Sequence, residues 1–285
     1  MSPSHDKTQA EPFLKWAGGK GQLLKQYEPL FPKTPLRGYF EPFVGSGAIF
    51  FHLHGRGLFQ HYHLAENNPE LINCYRVVRD QIDNLIFWLG VHNSHHSREY
   101  YYTVRNWDRE LDWAEAARPP MRAARMIYLN KTCYNGLWRV NSRGQFNVPM
   151  GSYRNPPILD EKRLRAASRA LQGVELASED FESVIRLAGR GDFVYLDPPY
   201  FPLSDTANFT NYSPDSFGEY EHRKLALVFA ELDRKGCRVM ESNSDTPFVR
   251  ELYQGFRIET VVARRAINSA GGRRGPITEL VVMNY

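Results

Sequence analysis

The stretch YFEPFVGSGAIFFHLH, residues 39–54, decides the fold of this chain. Its first six residues are mostly aromatic and apolar, which predicts a strand, and GSG at 45–47 predicts a tight turn. We expect a helix over 48–54 and a second strand at 61–65, HYHLA. Two strands joined by a helix within about 30 residues form a βαβ unit, which belongs to a parallel sheet.

The rest of the chain contains a middle segment of different composition, followed by a return of the α/β pattern. Residues 75–157 are helical in pattern, aromatic and basic, with a Gly-, Asn- and Pro-rich loop after Asn135, which indicates an insertion. The later segments predict an open, mostly parallel sheet with helices on both faces and a closing antiparallel pair. They are strands at 193–196 and 238–242, a helix over 225–232 capped by Gly236, and paired strands at 256–262 and 277–283.

Length and composition are those of a globular protein with a sizeable core. The chain has 285 residues, 42% hydrophobic and 24% charged, which suits one large domain or a core domain with a smaller insertion. No apolar run approaches the roughly 20 residues that span a bilayer, and residues 1–10 lack a secretory pattern, so we expect a cytoplasmic protein. Three widely spaced cysteines, Cys74, Cys133 and Cys237, predict reduced thiols and no metal site.

Positive charge is concentrated in the middle of the chain, although the whole sequence carries only +4. Residues 76–154 contain 12 Lys and Arg against 7 Asp and Glu, a net charge of +5. This pattern predicts a surface that faces a polyanion, with a solvated basic face as the alternative. No carboxylate lies between Glu115 and Asp160, a gap that contains Arg118, Arg122, Arg125, Lys131, Arg139, Arg143 and Arg154.

The first predicted strand ends at a candidate cofactor site. Ligands bind at the carboxyl ends of parallel strands, where Gly45 and Gly47 let a ligand approach the backbone. Glu66 follows Gly45 by 21 residues at the end of the next strand, where a carboxylate suits ribose hydroxyls. The third glycine of a dinucleotide site is missing, which fits S-adenosylmethionine because that ligand has no pyrophosphate. The earlier segment FLKWAGGK at 13–20 supplies Trp16 as a candidate pocket wall, with core burial as the alternative.

A second candidate site follows the strand at 193–196. Asp197, Pro198, Pro199 and Tyr200 come directly after it, and the prolines fix the backbone and remove two N–H donors. An exocyclic amine on adenine is a poor nucleophile because its lone pair is delocalised into the ring. Asp197 and the Pro198 carbonyl can accept its two hydrogens, and Tyr200 can stack on the base. A plain strand-ending turn is the alternative.

Together these motifs resemble the Dam-type DNA adenine-N6 methyltransferases. The resemblance extends from about Pro12 to Tyr285, and five motifs in this order are highly specific, whereas each alone is only suggestive. The segments are FLKWAGGK at 13–20, EPFVGSG at 41–47, YNGLWRVNSRGQFNVPMGSY at 134–153, DPPY at 197–200 and TANFTNYS at 206–213.

The resemblance implies a Rossmann-like, mostly parallel seven-stranded methyltransferase sheet with an inserted, mainly helical DNA-recognition domain. The S-adenosylmethionine-binding catalytic domain would comprise residues 1–74 and 158–285, and the DNA-recognition domain residues 75–157. The implied reaction is methyl transfer to N6 of an adenine flipped out of double-stranded DNA, at the site GATC. The expected state is a monomer, with a dimer on DNA as the alternative.

The resemblance also implies roles for individual residues. Asp197, Pro198, Pro199 and Tyr200 would clamp the target base, and Arg139 would read a guanine in the major groove. The implied cofactor-binding residues are Trp16, Lys20, Phe43, Gly45, Gly47, Glu66, Asp180, Phe181 and Asp197. The implied DNA-binding residues are Lys15, Tyr134, Asn135, Leu137, Arg139, Pro149 and Tyr153, with Asn141 as a further candidate.

Two features depart from the family pattern. Glu66 stands where many relatives have Asp, and ribose binding needs only a carboxylate. The stretch 131–133, KTC, is closer to members of restriction-modification systems than to enteric ones. The rival interpretations are an N4-cytosine or RNA adenine methyltransferase, against which the segment 134–153 argues, and a catalytically inactive DNA reader, against which Asp197 and the GxG turn argue.

Overall fold

A computed structural model describes residues 9–110, 112–203, 217–263 and 277–285. Seven strands form one mixed sheet in the order β3-β2-β1-β4-β5-β7-β6. The pairs β1/β2, β1/β4 and β4/β5 are parallel, and β7 runs antiparallel to both β5 and β6. The mostly parallel sheet and its closing antiparallel pair are therefore confirmed. The strands are β1 Leu36–Glu41, β2 Phe59–Ala65, β3 Glu175–Ala177, β4 Phe193–Leu196, β5 Arg238–Ser244, β6 Arg257–Ala263 and β7 Ile277–Met283.

Helices occupy most of the chain between β2 and β3 and separate the later strands. Single 3-10 turns lie at Lys20–Gln22, Trp107–Arg109, Tyr134–Gly136 and Phe181–Ser183. The α-helices are α1 Leu24–Tyr27, α2 Ala48–His54, α3 Pro69–Asp80, α4 Ile82–His95, α5 Arg98–Asn106, α6 Trp113–Ala116, α7 Pro119–Thr132, α8 Glu161–Ala170, α9 Val184–Leu187, α10 Glu219–Arg234 and α11 Pro247–Leu252.

The βαβ prediction is correct except at strand ends. The helix α2 spans the expected residues, but β1 begins at Leu36 and ends at Glu41 rather than running from 39 to 44. Pro42 follows Glu41, and a proline cannot donate to a neighbouring strand. Strand β5 continues two residues beyond the expected end, to Ser244. The extension of β5 matters for the site because its two added residues, Asn243 and Ser244, both form hydrogen bonds with the backbone of Phe201.

The chain divides into two compact units. The first, here the helical unit, comprises the chain up to Gly19, Gly45–Arg56 and Asn68–Ser178. The second, here the sheet unit, comprises Lys20–Val44, Gly57–Asn67 and the chain from Glu179 onward. The assignment of residues 75–157 to a separate recognition domain stays a prediction, and its first boundary lies inside α3.

The core of the sheet unit packs α10 against one face of the central strands. Leu225 and Phe229 on α10 and Val194, Val239 and Leu280 on the strands belong to one buried cluster. The predicted helix face is thereby confirmed, and α10 ends before Gly236, which has a φ of 79°. Glycine tolerates this left-handed conformation, so the chain can turn directly into β5.

The helical unit is organised around α7, which contacts α3, α4 and α5. Every residue from Ala123 to Thr132 is buried, so this helix is enclosed on all sides. Its first two residues are prolines, which suit the first turn of a helix because their missing N–H groups would have no intrahelical partner. Cys74, Cys133 and Cys237 are buried free thiols, as predicted. Within the described ranges, no helix is long and apolar enough to cross a membrane.

The basic gap after Glu115 is only partly a solvent-facing surface. Arg122 forms an ion pair with Glu70, and the buried Arg125 pairs with Asp108 at 2.7 Å. Lys131 is also buried. The predicted polyanion-facing surface therefore does not include Arg122, Arg125 or Lys131, because the first two pair with carboxylates that precede the gap and the third is buried. Four remain exposed: Arg118, Arg139, Arg143 and Arg154.

Candidate active site

Asp197 is held by two side chains at the carboxyl end of β4. The Lys20 ammonium lies 2.6 Å from its Oδ1, and the Ser242 hydroxyl donates to the same oxygen at 2.9 Å. Lys20 is 4% exposed and Asp197 18%. Ser242 also shares a hydrogen bond with the Tyr195 hydroxyl, at 2.9 Å. The carboxylate is therefore fixed in orientation while one edge still reaches solvent.

Burial and the two partners of Asp197 have opposite effects on its pKa. Burial raises the pKa of this carboxyl above its usual value, while Lys20 and the Ser242 hydrogen bond act in the opposite direction. Lys20 also lies over the Tyr200 ring, with Nζ 4.7 Å from the ring centroid. One ammonium therefore contacts both ends of the DPPY segment.

The residues that follow Asp197 are anchored to β5 and β7. The Tyr200 hydroxyl donates to Glu279 Oε2 at 2.6 Å. The Phe201 amide donates to Asn243 Oδ1 at 3.3 Å, and the Ser244 hydroxyl donates to the Phe201 carbonyl at 2.7 Å. Pro198 and Pro199, which lie between Asp197 and Tyr200, have no N–H groups. This part of the backbone therefore presents carbonyl acceptors and no donors.

A second acid, Glu241, is buried on β5 one residue before Ser242. It is 0% exposed and accepts hydrogen bonds from the Tyr253 hydroxyl and, at 3.0 Å, from Asn243 Nδ2. Burial raises the pKa of Glu241 to about 7, with Asp197 adding to the increase and the two hydrogen bonds opposing it. This carboxyl is therefore close to half-protonated near neutral pH.

Aromatic rings and carboxylates of the sheet unit form the candidate cofactor-binding set. The rings of Phe43 and Phe181 stack with centroids 5.4 Å apart, and Phe217 packs edge-on against Phe43 at 5.8 Å. Glu66 directly follows β2 and is half-buried, and Asp180 is exposed and accepts from the Glu182 amide at 2.9 Å.

Two glycines of the GSG turn have left-handed backbones in the helical unit. A Cβ on Gly45, whose φ is 47°, would lie 2.9 Å from Trp16 Cδ1, and one on Gly47, whose φ is 71°, would lie 2.8 Å from the Tyr75 hydroxyl oxygen. Trp16 is half-buried rather than a core residue. The indole therefore lies directly on the turn backbone, and any larger residue at 45 would displace it.

Lys15 lies against two residues of the predicted recognition loop, Gly136 and Tyr153. Its Nζ lies 4.3 Å from the centre of the Tyr153 ring, and a Cβ on Gly136 would lie 2.7 Å from its Cδ. The buried Asn130 on α7 accepts from the Lys15 amide at 2.8 Å and donates to the Lys15 and Gly136 carbonyls. Asn130 is not among the predicted site residues, although a side-chain amide among buried apolar residues of a helix is a signal for hydrogen bonds of this kind.

Several predicted DNA-binding side chains of the helical unit are exposed. Tyr134, with 53% of its surface exposed, donates its amide to the Pro149 carbonyl at 2.9 Å. Asn135 is exposed with a φ of 56°, a left-handed conformation that asparagine tolerates better than most residues. Leu137 is half-buried. The structure thus pairs Lys15 with Tyr153 and Tyr134 with Pro149.

Arg139 lies on a short hairpin that follows. Its Nε donates to Asn147 Oδ1 at 2.7 Å, and the Asn147 amide donates to the Arg139 carbonyl at 3.1 Å. The Asn141 side-chain oxygen accepts from the amides of Arg143 and Gln145, both at 3.0 Å, so Asn141 shapes the turn of the hairpin. The guanidinium is therefore oriented by a cross-strand partner before any ligand binds.

The sequence did not single out Ser242, Asn243, Ser244 or Glu279, which hold the DPPY segment. A run of polar residues at the carboxyl end of a buried strand was the available signal. The motif at 206–213 lies outside the described residues. Across the ranges that the structure describes, no group of three or more His, Cys, Asp or Glu residues could hold a metal ion.

Comparison with known proteins identifies the class to which this fold and site belong. The model of the D12 class N6 adenine-specific DNA methyltransferases matches residues 16–267, and the chain belongs to this family. It is 41% identical over 291 residues to the type II methyltransferase M.MjaIII of Methanocaldococcus jannaschii, covering 97% of this chain and 100% of the relative. It is 42% identical over 284 residues to the type II methyltransferase M1.LlaDCHI of Lactococcus lactis subsp. cremoris, covering 98% and 97%.

The chain is also 36% identical over 274 residues to the DNA adenine methylase of Escherichia coli K12, covering 95% of this chain and 94% of the relative. The resemblance to Dam-type enzymes is thereby confirmed. The protein is an enzyme, an adenine-specific DNA methyltransferase, and DNA is its substrate.

Proposed function

We propose that this enzyme transfers a methyl group from S-adenosylmethionine to N6 of adenine at GATC in double-stranded DNA, after the adenine leaves the helix. The observation that carries the proposal is the fixed Asp197 carboxylate, held by Lys20 and Ser242 directly before two prolines. A base inside a duplex cannot present its amine to such a recessed group, so extrusion of the base is part of the proposal.

The chemistry follows from the acceptors at this segment. The amine donates one hydrogen to Asp197 and the other to the Pro198 carbonyl, which favours pyramidal geometry and concentrates the nitrogen lone pair. S-adenosylmethionine, when bound, supplies an electrophilic methyl group on a sulfonium centre. Asp197 would accept the proton that the amine loses on methylation and pass it to solvent. Tyr200 stacks on the base, so the rest of the catalysis is positioning.

The donor set of the sheet unit fits this cofactor. The stacked Phe43 and Phe181 rings offer an apolar wall for an adenine ring, and the Glu66 carboxylate suits two ribose hydroxyls. Carboxylates also suit the positive charge of a sulfonium and an amino group. The other residues of the sheet unit that we propose to bind the cofactor are Lys20, Asp180 and Asp197. Trp16, Gly45 and Gly47 stay assigned to the cofactor from the sequence.

Exposed residues of the helical unit support DNA recognition. Arg139 presents its two terminal nitrogens while Asn147 accepts from Nε, and an Arg fork matches guanine O6 and N7.

Lys15 and Tyr153 would contact the first base pair, and Tyr134, Asn135 and Leu137 would enter or flank the duplex at the flipped adenine. Residues 75–157 serve as the recognition domain in this proposal, and the enzyme acts in the cytoplasm as a monomer.

The direct test replaces Asp197 by Ala. We expect turnover to be abolished and duplex binding to be largely kept, because Asp197 contacts the amine and no phosphate. Filter binding measures the duplex affinity, and transfer of radiolabelled methyl groups measures turnover. Glu259→Ala is the matched control, because Glu259 is also a sheet carboxylate and pairs with the neighbouring Arg257. Methyl transfer by Asp197→Ala within tenfold of the unmodified enzyme would contradict the assigned role.

A further inference from the structure

The Tyr200 side chain is anchored outside its own loop. Its hydroxyl donates to Glu279 Oε2 on β7 at 2.6 Å, a hydrogen bond of the short, charge-assisted kind. Glu279 is the cross-strand partner of Ser244 on β5, and Ser244 donates to the carbonyl of Phe201 at 2.7 Å. One position in the β5–β7 ladder therefore fixes both the side chain of Tyr200 and the backbone of the next residue.

The surroundings of the ring make this anchor effective. Glu279 is 9% exposed, so little water competes for its carboxylate. Burial and the nearby Asp197 raise the pKa of the Tyr200 phenol well above its usual range, so the phenol remains a donor at neutral pH. Lys20 lies over one face of the ring, so a base that stacks on Tyr200 with Lys20 in place uses the opposite face.

A tyrosine held only by its backbone can rotate about χ1 and χ2. A hydrogen bond at the far end of the ring removes this freedom and sets the plane on which a base must stack. Loss of the bond would leave the ring present but its plane undefined, and a small misplacement is costly when the reacting atoms must be aligned.

We propose that Glu279 is a positioning residue that sets the plane of the Tyr200 ring for stacking on the extruded adenine. The inference rests on the proposed function of the DPPY segment and adds to it a residue 79 positions beyond Tyr200. Glu279 contacts neither the amine nor the methyl donor in this role. Its effect passes through the Tyr200 hydroxyl alone.

The test is a double-mutant cycle between Glu279→Ala and Tyr200→Phe, measured as the single-turnover rate at saturating cofactor and DNA. Tyr200→Phe removes the hydroxyl and keeps the stacking ring, so both changes should remove the same interaction. We expect each to lower the rate by about tenfold, equivalent to about 1.4 kcal/mol, and the double variant to be no slower than either. Glu279→Gln, which keeps an acceptor oxygen, should recover most of the rate.

A purely structural role for Glu279 would give different readouts. With 2-aminopurine at the target position, Glu279→Ala and Tyr200→Phe should change the fluorescence of the bound duplex equally, while the cofactor KM stays unchanged. Thermal unfolding checks folding, and Glu259→Ala serves as the control with unchanged rate. If Glu279→Ala does not fold, Glu279→Met, which keeps the side-chain volume and removes the acceptor, replaces it in the cycle with the same expected loss and the same lack of additivity.

Additive losses, or a loss that appears in the cofactor KM alone, would overturn the inference. The proposed function fails separately: the unmodified enzyme would then leave adenine in duplex DNA unmethylated. Adenine methylation by the unmodified enzyme together with additive losses would remove only the role of Glu279.

Discussion

Replacing Glu241 by Gln should stabilise the protein at alkaline pH and have much less effect at acidic pH. Glu241 is fully buried, and its pKa is raised to about 7 from an ordinary 4.5. The folded protein therefore keeps a proton on this carboxyl that the unfolded chain releases. In the window between pH 4.5 and 7, stability falls as the pH rises, and the loss is complete above pH 7.

The magnitude follows from these two pKa values. At 1.36 kcal/mol per pKa unit, the folded protein loses up to about 3 kcal/mol between the acidic and alkaline ends of the window. Glutamine cannot ionise, so Glu241→Gln escapes this loss. Glutamine resembles the protonated acid in shape, and it can form hydrogen bonds with both the Tyr253 hydroxyl and the Asn243 amide.

The assay is urea unfolding of both proteins at pH 5 and at pH 8. The difference in unfolding free energy between Glu241→Gln and the unmodified protein should grow by about 2 to 3 kcal/mol from the first pH to the second. Glu259→Gln, a change at a partly exposed carboxylate, is the control and should show no such growth. A difference that is the same at both pH values would refute the reasoning.

Three further predictions concern the site and the DNA. Lys20→Met should move the acid limb of the single-turnover rate to higher pH, because Lys20 lowers the pKa of Asp197; an unmoved limb at saturating cofactor would contradict it. Arg139→Ala should cost about 1–3 kcal/mol of discrimination at the third pair of GATC alone, measured on duplexes that each differ from GATC at one position. Equal losses on every duplex would make Arg139 a backbone anchor. DNA affinity should fall steeply between low and physiological salt, and a flat dependence would leave the exposed arginines as a solvated face.

Local patterns predicted the parts of the fold that depend on neighbouring residues. The helix α2, the strand β4 and the buried face of α10 each follow from short runs of apolar residues with the right period. The position of Asp197 directly after β4 follows in the same way, since a polar residue after a buried strand lies at the carboxyl edge of the sheet.

The supports of the site could not be predicted in this way. Glu279 meets Tyr200 only because of the register between β5 and β7, which places Glu279 opposite Ser244. A shift of one residue would turn every side chain of β7 to the other face, and no local pattern specifies the register. The contact is therefore a property of strand pairing over a long sequence separation.

The charge pattern overstates the basic surface for a related reason. No carboxylate lies within the gap after Glu115, but Arg122 pairs with Glu70 and Arg125 with Asp108. Both acids precede the gap and are brought to it by helix packing around α7. Sequence proximity therefore overestimates the basic surface, whereas the exposed Arg139 kept its predicted setting.

The measurement that tests the central claim most directly is base-resolved detection of modified bases in DNA from a host without adenine methylation that expresses this protein. The account predicts N6-methyladenine at GATC on both strands, and unmodified DNA from a host that expresses the Asp197→Ala variant. N4-methylcytosine, or adenine methylation that persists in the variant, would contradict it.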